Sequence, residues 1–572
     1  MARAALTSLL RLACVAGALA LSGAGALAVT AQDLVPDGLP TSLSGAYLAG
    51  RSADKAHDIS AAATYYGAAL ADDYDNPALL ERVLVLRLAA GEIDAAQSLA
   101  ERLVAADDRN PIARLVLATE AIKGGDYEKA KTGLARSAQA PLAALTGGLL
   151  GAWADFALGH ADAALAAVDS LSGPSWYGIF KDFHHAAIAD AAGRSDDAVA
   201  AIRRAYNTDK TALRVVESYA RILARAGKSD EAIQALETYI ATQPLNPVIR
   251  DLLADLKAGK KPAPIAATAQ QGAAEVLYGL GSAIGTDEGT ELPAAYLQSA
   301  HYLDPDAFLP LIALGDVFQS ANQCDEALAV YGRVPASSPL IRNADIQSGL
   351  CLDSIGKTDE GAAHIKRVTD SDPSDLEAIM ALGAVYRAHD RFAEAADVYS
   401  KGIATIADKA KADWRIFYFR GVSLERSKRW DEAEADFKQA LAIDPNQPQV
   451  LNYLGYSWVD KGIHLDEALK MIQAAVDRRP NDGYIVDSLG WAYFRLGRLD
   501  DAVDQLERAV ELKPEDSVIN DHLGDALWKA GRKREATFQW AHARDLDPEP
   551  EERAKIVKKL ESGMPANGGS DG

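Results

Sequence analysis

Cysteine is nearly missing from this chain, with three in 572 residues, at positions 14, 324 and 351. So few cannot staple a disulfide framework or build a four-cysteine zinc site. Basic charge is also in deficit: 59 lysines and arginines face 81 aspartates and glutamates, a formal net charge of −22. No basic stripe offsets it, so nucleic acid and anionic membrane surfaces are poor partners, because holding phosphates means neutralising them. Beyond the N-terminus there is no apolar run of roughly 20 residues, hence no transmembrane span in the body of the chain. Missing too are a phosphate-cradling glycine loop, a zinc-ligand spacing and a strand–turn–helix setting for a nucleophile, so neither cofactor, metal nor catalytic residue is expected.

The N-terminus has a character of its own. Residues 1–31 carry positive charge at Arg3 and Arg11, an apolar stretch from Leu12 to Leu21, and small-x-small steps at Ala26-Leu27-Ala28 and Val29-Thr30-Ala31. This is the pattern of a cleaved secretory signal, implying a periplasmic protein and a mature chain more acidic still. Arg11, just upstream of Cys14, argues against lipid attachment there. An uncleaved N-terminal helix or a lipid anchor is the alternative.

What the chain has in abundance is repetition. Gly91, Gly125, Gly159, Gly193 and Gly227 stand 34 residues apart, and five residues after each comes an alanine: Ala96, Ala130, Ala164, Ala198 and Ala232. A glycine turn followed by a small residue is what two antiparallel helices need to approach closely. Counted on this metre, six units begin at Leu43, Pro77, Pro111, Leu145, Ile179 and Leu213, and a half unit ends at Leu256. Residues 257–272, with Pro262, Pro264 and Gly259, read as a linker. Prolines then keep the time, at 305, 339 and 373 and again at 480, 514 and 548. Eight further units start near Ala274, Phe308, Arg342, Leu376, Trp414, Pro448, Gly483 and Ser517, most with a Leu-Gly step such as Leu382-Gly383 or Leu523-Gly524. The expectation is an all-α solenoid in two segments, 43–256 and 274–550, joined by that linker and followed over 551–572 by a capping helix and a disordered tail.

The metre resembles that of the tetratricopeptide repeat (TPR) family. The most specific stretch is Asp487-Ser-Leu-Gly-Trp-Ala-Tyr-Phe-Arg-Leu-Gly497, followed by Ala502, Ala509 and Pro514. With Leu454-Gly-Tyr-Ser-Trp458 and His522-Leu-Gly-Asp525 it is similar to the C-terminal arrays of large exported bacterial TPR proteins. Among these is an outer-membrane lipoprotein adaptor that presents substrates to a periplasmic carboxyl-terminal processing protease. The resemblance implies a right-handed superhelix and a non-enzymatic scaffold or adaptor of the cell envelope, binding other envelope proteins or peptides in its concave groove. The alternative is a structural component of a polysaccharide-export or cell-wall machine.

The family's groove-lining positions, carried onto this chain, select Tyr418, Phe419, Tyr453, Tyr456, Tyr484, Trp491, Phe494 and Trp528, with Asn452, Asp487, Asp521, His522 and Asp525 among them. Aromatics offer large, rigid contact area to a partner, although the same rings could simply pad the superhelix interior. Acidic and aromatic groups do not make a carboxylate clamp, so a basic and apolar partner fits better. Cys324 precedes the second helix of one unit and Cys351 lies toward the end of the next unit's first helix; antiparallel packing should bring those ends together, where a disulfide could join them, and two small buried residues is the other reading. His184 and His185, adjacent on one helix, point about 100° apart and cannot share a metal ion. His185 is expected to pack and His184 to face the groove.

Overall fold

The computed structural model describes residues 42–137, 140–243, 246–286 and 289–564. The secretory-signal reading of 1–31 and most of the tail lie outside them. Among the described residues there are thirty α-helices and no strand.

Local chemistry explains where the helices begin. Asn76 and Asn110 are extended N-caps whose side chains accept backbone N–H bonds, and Pro77 and Pro111 follow at the first helical position, where a missing N–H costs nothing. The same preference moves one start from the expected Leu145 back to Pro141. Leu43–Lys55 pairs with Ile59–Asp72, Pro77–Ala89 with Ile93–Ala106, Pro111–Lys123 with Tyr127–Leu134, Pro141–Ala157 with Ala161–Ser170, Tyr177–Ala191 with Ser195–Thr208, and Leu213–Arg225 with Ser229–Thr242. Between partners the chain makes one left-handed residue: Gly91, Gly125, Gly159, Gly193 and Gly227 have φ of 76–83°, and His57 takes the same place in the first pair. The alanines five residues on from these turns, Ala62 to Ala232, are at most 1% exposed.

Farther along, the buried alanine persists, at Ala395, Ala433, Ala468, Ala502 and Ala536, and a glycine on the inner helix adds a second small residue at the close approach. A methyl group on Gly383 would run into the ring of Tyr399, and one on Gly524 into Trp540, so each glycine makes room for a large side chain of its partner helix. The pairs here are Leu376–Ala388 with Phe392–Thr405, Trp414–Arg426 with Trp430–Ile443, Pro448–Lys461 with Leu465–Arg478, Gly483–Arg495 with Leu499–Leu512, and Ser517–Lys529 with Lys533–Asp545. A last helix, Pro550–Ser562, buries Ile556 against Leu523, Leu527 and Trp540 and so covers the final apolar face.

The described chain forms two compact units, one reaching to Gln323 except for a few residues around Asn246, the other starting at Cys324. This departs from the division at 257–272. The unit that was to open the second segment is a helical hairpin, Ala269–Ala283 and Glu291–Leu303, and it packs on the inner helices Pro77–Ala89, Pro111–Lys123, Pro141–Ala157 and Tyr177–Ala191. The first unit therefore contains its own groove filling. In the second unit the helices pack in chain order along the stack, each on its neighbours.

Candidate partner-binding groove

The groove of the first unit is closed by contacts at every level. Arg214 pairs with Glu275 of the hairpin and, at 2.5 Å, with Glu217; the second carboxyl oxygen of Glu217 is held by Arg221. Arg82 bonds Glu291 at 2.7 Å, and the Thr146 and Tyr296 hydroxyls meet at 3.0 Å. The Tyr302 hydroxyl donates to Glu120 at 2.6 Å, and Lys123 donates to the Tyr302 carbonyl at 2.7 Å, near the C-terminal end of the hairpin's second helix, where a cation is favoured. Between these anchors Val276, Leu277, Leu280, Leu297 and Leu303 are at most 1% exposed. Five such side chains, each stabilising by about 1.5–3 kcal/mol when buried, make the hairpin core and not a loose occupant.

The hairpin also decides the histidines. Gly272 presses its backbone against the ring of Trp153, whose indole N–H donates to His184 Nδ1 at 3.3 Å. His184 is 1% exposed, and burial drives its pKa down to about 3, so it is a neutral acceptor. It packs, contrary to expectation, while His185 reaches Asp169 at 2.8 Å. Among the described residues there is no cluster able to hold a metal ion.

In the second unit the aromatic residues singled out by the sequence fall into three groups and two single positions. Tyr418 meets Phe419 at 5.3 Å and Tyr453 at 5.9 Å between ring centroids, and Phe437 of the outer layer closes this group from behind. The Arg387 guanidinium lies over Phe419, and the Tyr453 hydroxyl donates to Glu425 at 3.2 Å. In the next group Trp491 is sandwiched, with Phe494 stacked at 4.8 Å and His522 at 4.1 Å. His522 is aligned by Asp487, 3.0 Å from its Nδ1. In the third, Trp528 leans on Trp540 at 5.2 Å, with Lys533 over its ring.

Tyr456 stands half-buried between the first two groups, its phenol pushed up to about 12 by burial and by the carboxylates of Asp487 and Asp460. Tyr484 sits apart at 54% exposure, beside Lys513, in a pocket it shares with Arg479 and Pro480. Asn452 and Trp491 each keep a buried polar atom, the carboxamide oxygen and the indole nitrogen, without a hydrogen-bond partner.

Two participants escaped the sequence reading. Lys559, on the terminal helix, places its ammonium 2.6 Å from Asp521 and 2.8 Å from Asp525. A charged residue on an amphipathic terminal helix carries no local mark that it will turn inward. Trp540, whose indole donates to Asp525 at 2.9 Å, was likewise not foreseen. Cys324 and Cys351, both buried, bring their sulfurs to 2.7 Å, and the Ser354 hydroxyl lies 3.1 Å from the Cys324 sulfur.

Helix pairs stacked with a left-handed turn inside each pair and small residues at each close approach define a helical-repeat scaffold, the class of protein that works through its surface. Family profiles described as tetratricopeptide repeat match residues 191–256, 352–410, 414–447 and 464–517. The chain is a tetratricopeptide-repeat protein. It is 24% identical over 187 residues to the TPR repeat-containing protein PA4667 of Pseudomonas aeruginosa, a stretch that is 32% of this chain and 31% of that one. It is 23% identical over 168 residues to human protein O-mannosyl-transferase TMTC1, covering 28% of this chain and 19% of the relative. The matches thus span less than a third of these relatives' lengths. Among solved structures, a tetratricopeptide repeat protein from Parabacteroides merdae aligns with 45% of this chain and 99% of its own, at 15% identity and a TM-score of 0.38. The Cut9-Hcn1 hetero-tetramer of the APC/C aligns with 91% of this chain and 96% of its own, at 13% identity and a TM-score of 0.37.

Proposed function

We propose that this protein is a non-enzymatic adaptor of the bacterial cell envelope that holds partner proteins or peptides against the inner helices of its second unit. The observation that carries this reading is the contrast in finish along that wall. Tyr484 is over half exposed, Tyr456 and Trp491 are half-buried, and Asn452 and Trp491 hold hydrogen-bonding atoms that none of the described residues satisfies. Buried polar groups are normally paired, so unpaired ones beside aromatic faces suit a peptide that brings its own donors and acceptors. The excess of acid favours a basic partner. Export through residues 1–31 and delivery of clients to a periplasmic protease belong to the same proposal, on the strength of the leader pattern and the family resemblance.

The test is a photo-cross-linker placed at Tyr484 of the full chain in cells. Captured proteins are expected to disappear when Tyr456 and Trp491 are both changed to alanine. The same captured set in that variant, with helicity intact, would remove the groove from the proposal.

A further inference from the structure

We propose that the first unit carries, between an inner helix and its outer partner, a binding site for one phosphate group, free or borne by a small molecule, built from Arg114, Arg136 and Lys129. The site lies outside the groove of the second unit and does not depend on the reading above.

One repeat position has exchanged its charge. Counted on the 34-residue metre, Arg114 is the fourth residue of its unit, where Leu80, Val216 and Ile379 stand in theirs at no more than 2% exposure. In two sister units the fourth residue is an aspartate, and an arginine at the twenty-sixth position, on the outer helix, pairs with it: Asp182 with Arg204 at 2.7 Å, and Asp345 with Arg367 at 2.5 Å. The unit that begins at Pro111 keeps the arginine, as Arg136, and has Arg114 in place of the aspartate. The acid that balances this pair elsewhere is gone, and a second cation holds its position. Arg114 is 9% exposed, and its pKa is lowered by burial and by the charge of Arg136, as befits a guanidinium held beside a like charge.

An independent sign is space. Arg114, Lys129, Thr132, Gly133 and Arg136, together with Glu128, line a pocket of about 360 Å³. Gly133 leaves the guanidinium open to it, since even a Cβ there would stand 3.9 Å from Arg114 Nη1. Asp108 answers for part of the charge: its carboxylate accepts from Arg114 Nη2, its carbonyl accepts from Nε at 2.9 Å, and Arg136 is 3.9 Å from it. Arg114 Nη1, the Lys129 ammonium and the Thr132 hydroxyl have no hydrogen-bond partner among the described residues. Three cations against Asp108 and Glu128 leave an excess of positive charge, in a chain whose net charge is −22. Guanidinium, ammonium and hydroxyl donors together suit an anion that offers oxygens in more than two directions, which is phosphate and not carboxylate. A single pocket without a basic stripe takes one such group and not a polyanion.

The experiment titrates the full chain with inorganic phosphate, with glycerol phosphate and with acetate, reading phosphorus NMR line widths for the first two and the unfolding midpoint for all three. Both phosphates are expected to bind the parent and raise its midpoint, and acetate to do neither. Arg114→Leu installs the residue type that sister units carry at this position, and Arg136→Gln changes a side chain that is 58% exposed, so both variants should keep the fold. Each is expected to weaken phosphate binding about tenfold or more, the loss of one charge-assisted contact. Tighter binding of the ester assigns a phosphorylated small molecule, and equal or tighter binding of inorganic phosphate assigns the free ion. No binding of either phosphate to the parent, acetate binding as tightly as phosphate, or unchanged affinity in both variants overturns the proposal. Should Arg114→Leu lose helicity, Arg136→Gln decides alone, and unchanged affinity there is the overturning result.

Discussion

On the concave side of the first unit, Arg82, Lys123, Thr146, Trp153 and Arg214 all find partners in a hairpin supplied by the chain itself. On the corresponding helices of the second unit, Tyr484 faces solvent, Tyr456 and Trp491 are half-buried, and a lysine reaches in from the last helix, while orphan polar atoms occur on inner helices of both units, at Thr119 and Ser218 as at Asn452 and Trp491. One repeat geometry thus yields a filled groove in one place and a partly exposed wall in the other. The difference lies in what has been inserted. Ridges of helix pairs fix a concave surface, but only side chains from outside the stack decide whether that surface is interior or interface.

The comparison breaks most readily at Arg214. Arg214→Leu leaves Glu217 and Glu275 buried without their common cation and is expected to cost the first unit about 3–5 kcal/mol, seen as a lower unfolding midpoint and lost hydrogen-exchange protection over 269–303. A hairpin that stays protected in this variant would mean its apolar core alone holds it. Next in size is oxidation of the Cys324–Cys351 pair. Exposure to a disulfide-donating oxidant is expected to remove both thiols and, by closing a loop between those positions, to stabilise the start of the second unit by about 3 kcal/mol. Two titratable thiols after full exposure would exclude the bridge.

A smaller effect is the pH response at the groove's far end. Burial opposes the charge on His522, yet Asp487, Asp521 and Asp525 outweigh it and raise its pKa above 6.5. A raised histidine contributes fully below its unfolded value and loses that contribution as pH climbs through the folded one. Asp525 is raised as well, by burial and by Asp521, against the opposing pull of Lys559. Its ionisation therefore also costs stability as pH rises through the folded value. The histidine sign means that the second unit is more stable at about pH 6 than at about pH 9, which unfolding midpoints will show; the reverse order would mean that His522 is not charged in the fold. Smallest is Tyr484→Ala, expected to change stability by less than about 0.5 kcal/mol while reducing partner capture, because an exposed side chain has little folding work to lose. A large loss of stability would make Tyr484 core instead of interface.

The candidate site was legible only in part. Tyr418, Tyr453, Trp491 and Trp528 are on the inner helices where the repeat positions put them, since side-chain direction follows from register on a helix. Whether each ring is free is another matter: Tyr418 and Tyr453 lean on Phe437, and Trp528 leans on Trp540. Those outer-layer residues come from the second helix of a pair, and register on the first helix says nothing about them. Lys559 was unreadable because its partners lie 34 and 38 residues back along the chain.

From the sequence alone came the helix pairs, their 34-residue metre, the turn positions and the small residues at close approach, all of which rest on contacts within a pair or between neighbours. Leu280-Gly281 shows how far that signal reaches. It marks a true helix pair, with Gly281 fitted against Tyr296 and Leu297, and is silent on where the pair goes. Only the tertiary structure sends that hairpin onto Arg82, Thr146 and Arg214, because the choice is made by contacts 61 to 209 residues apart, between surfaces that the repeat pattern leaves unspecified.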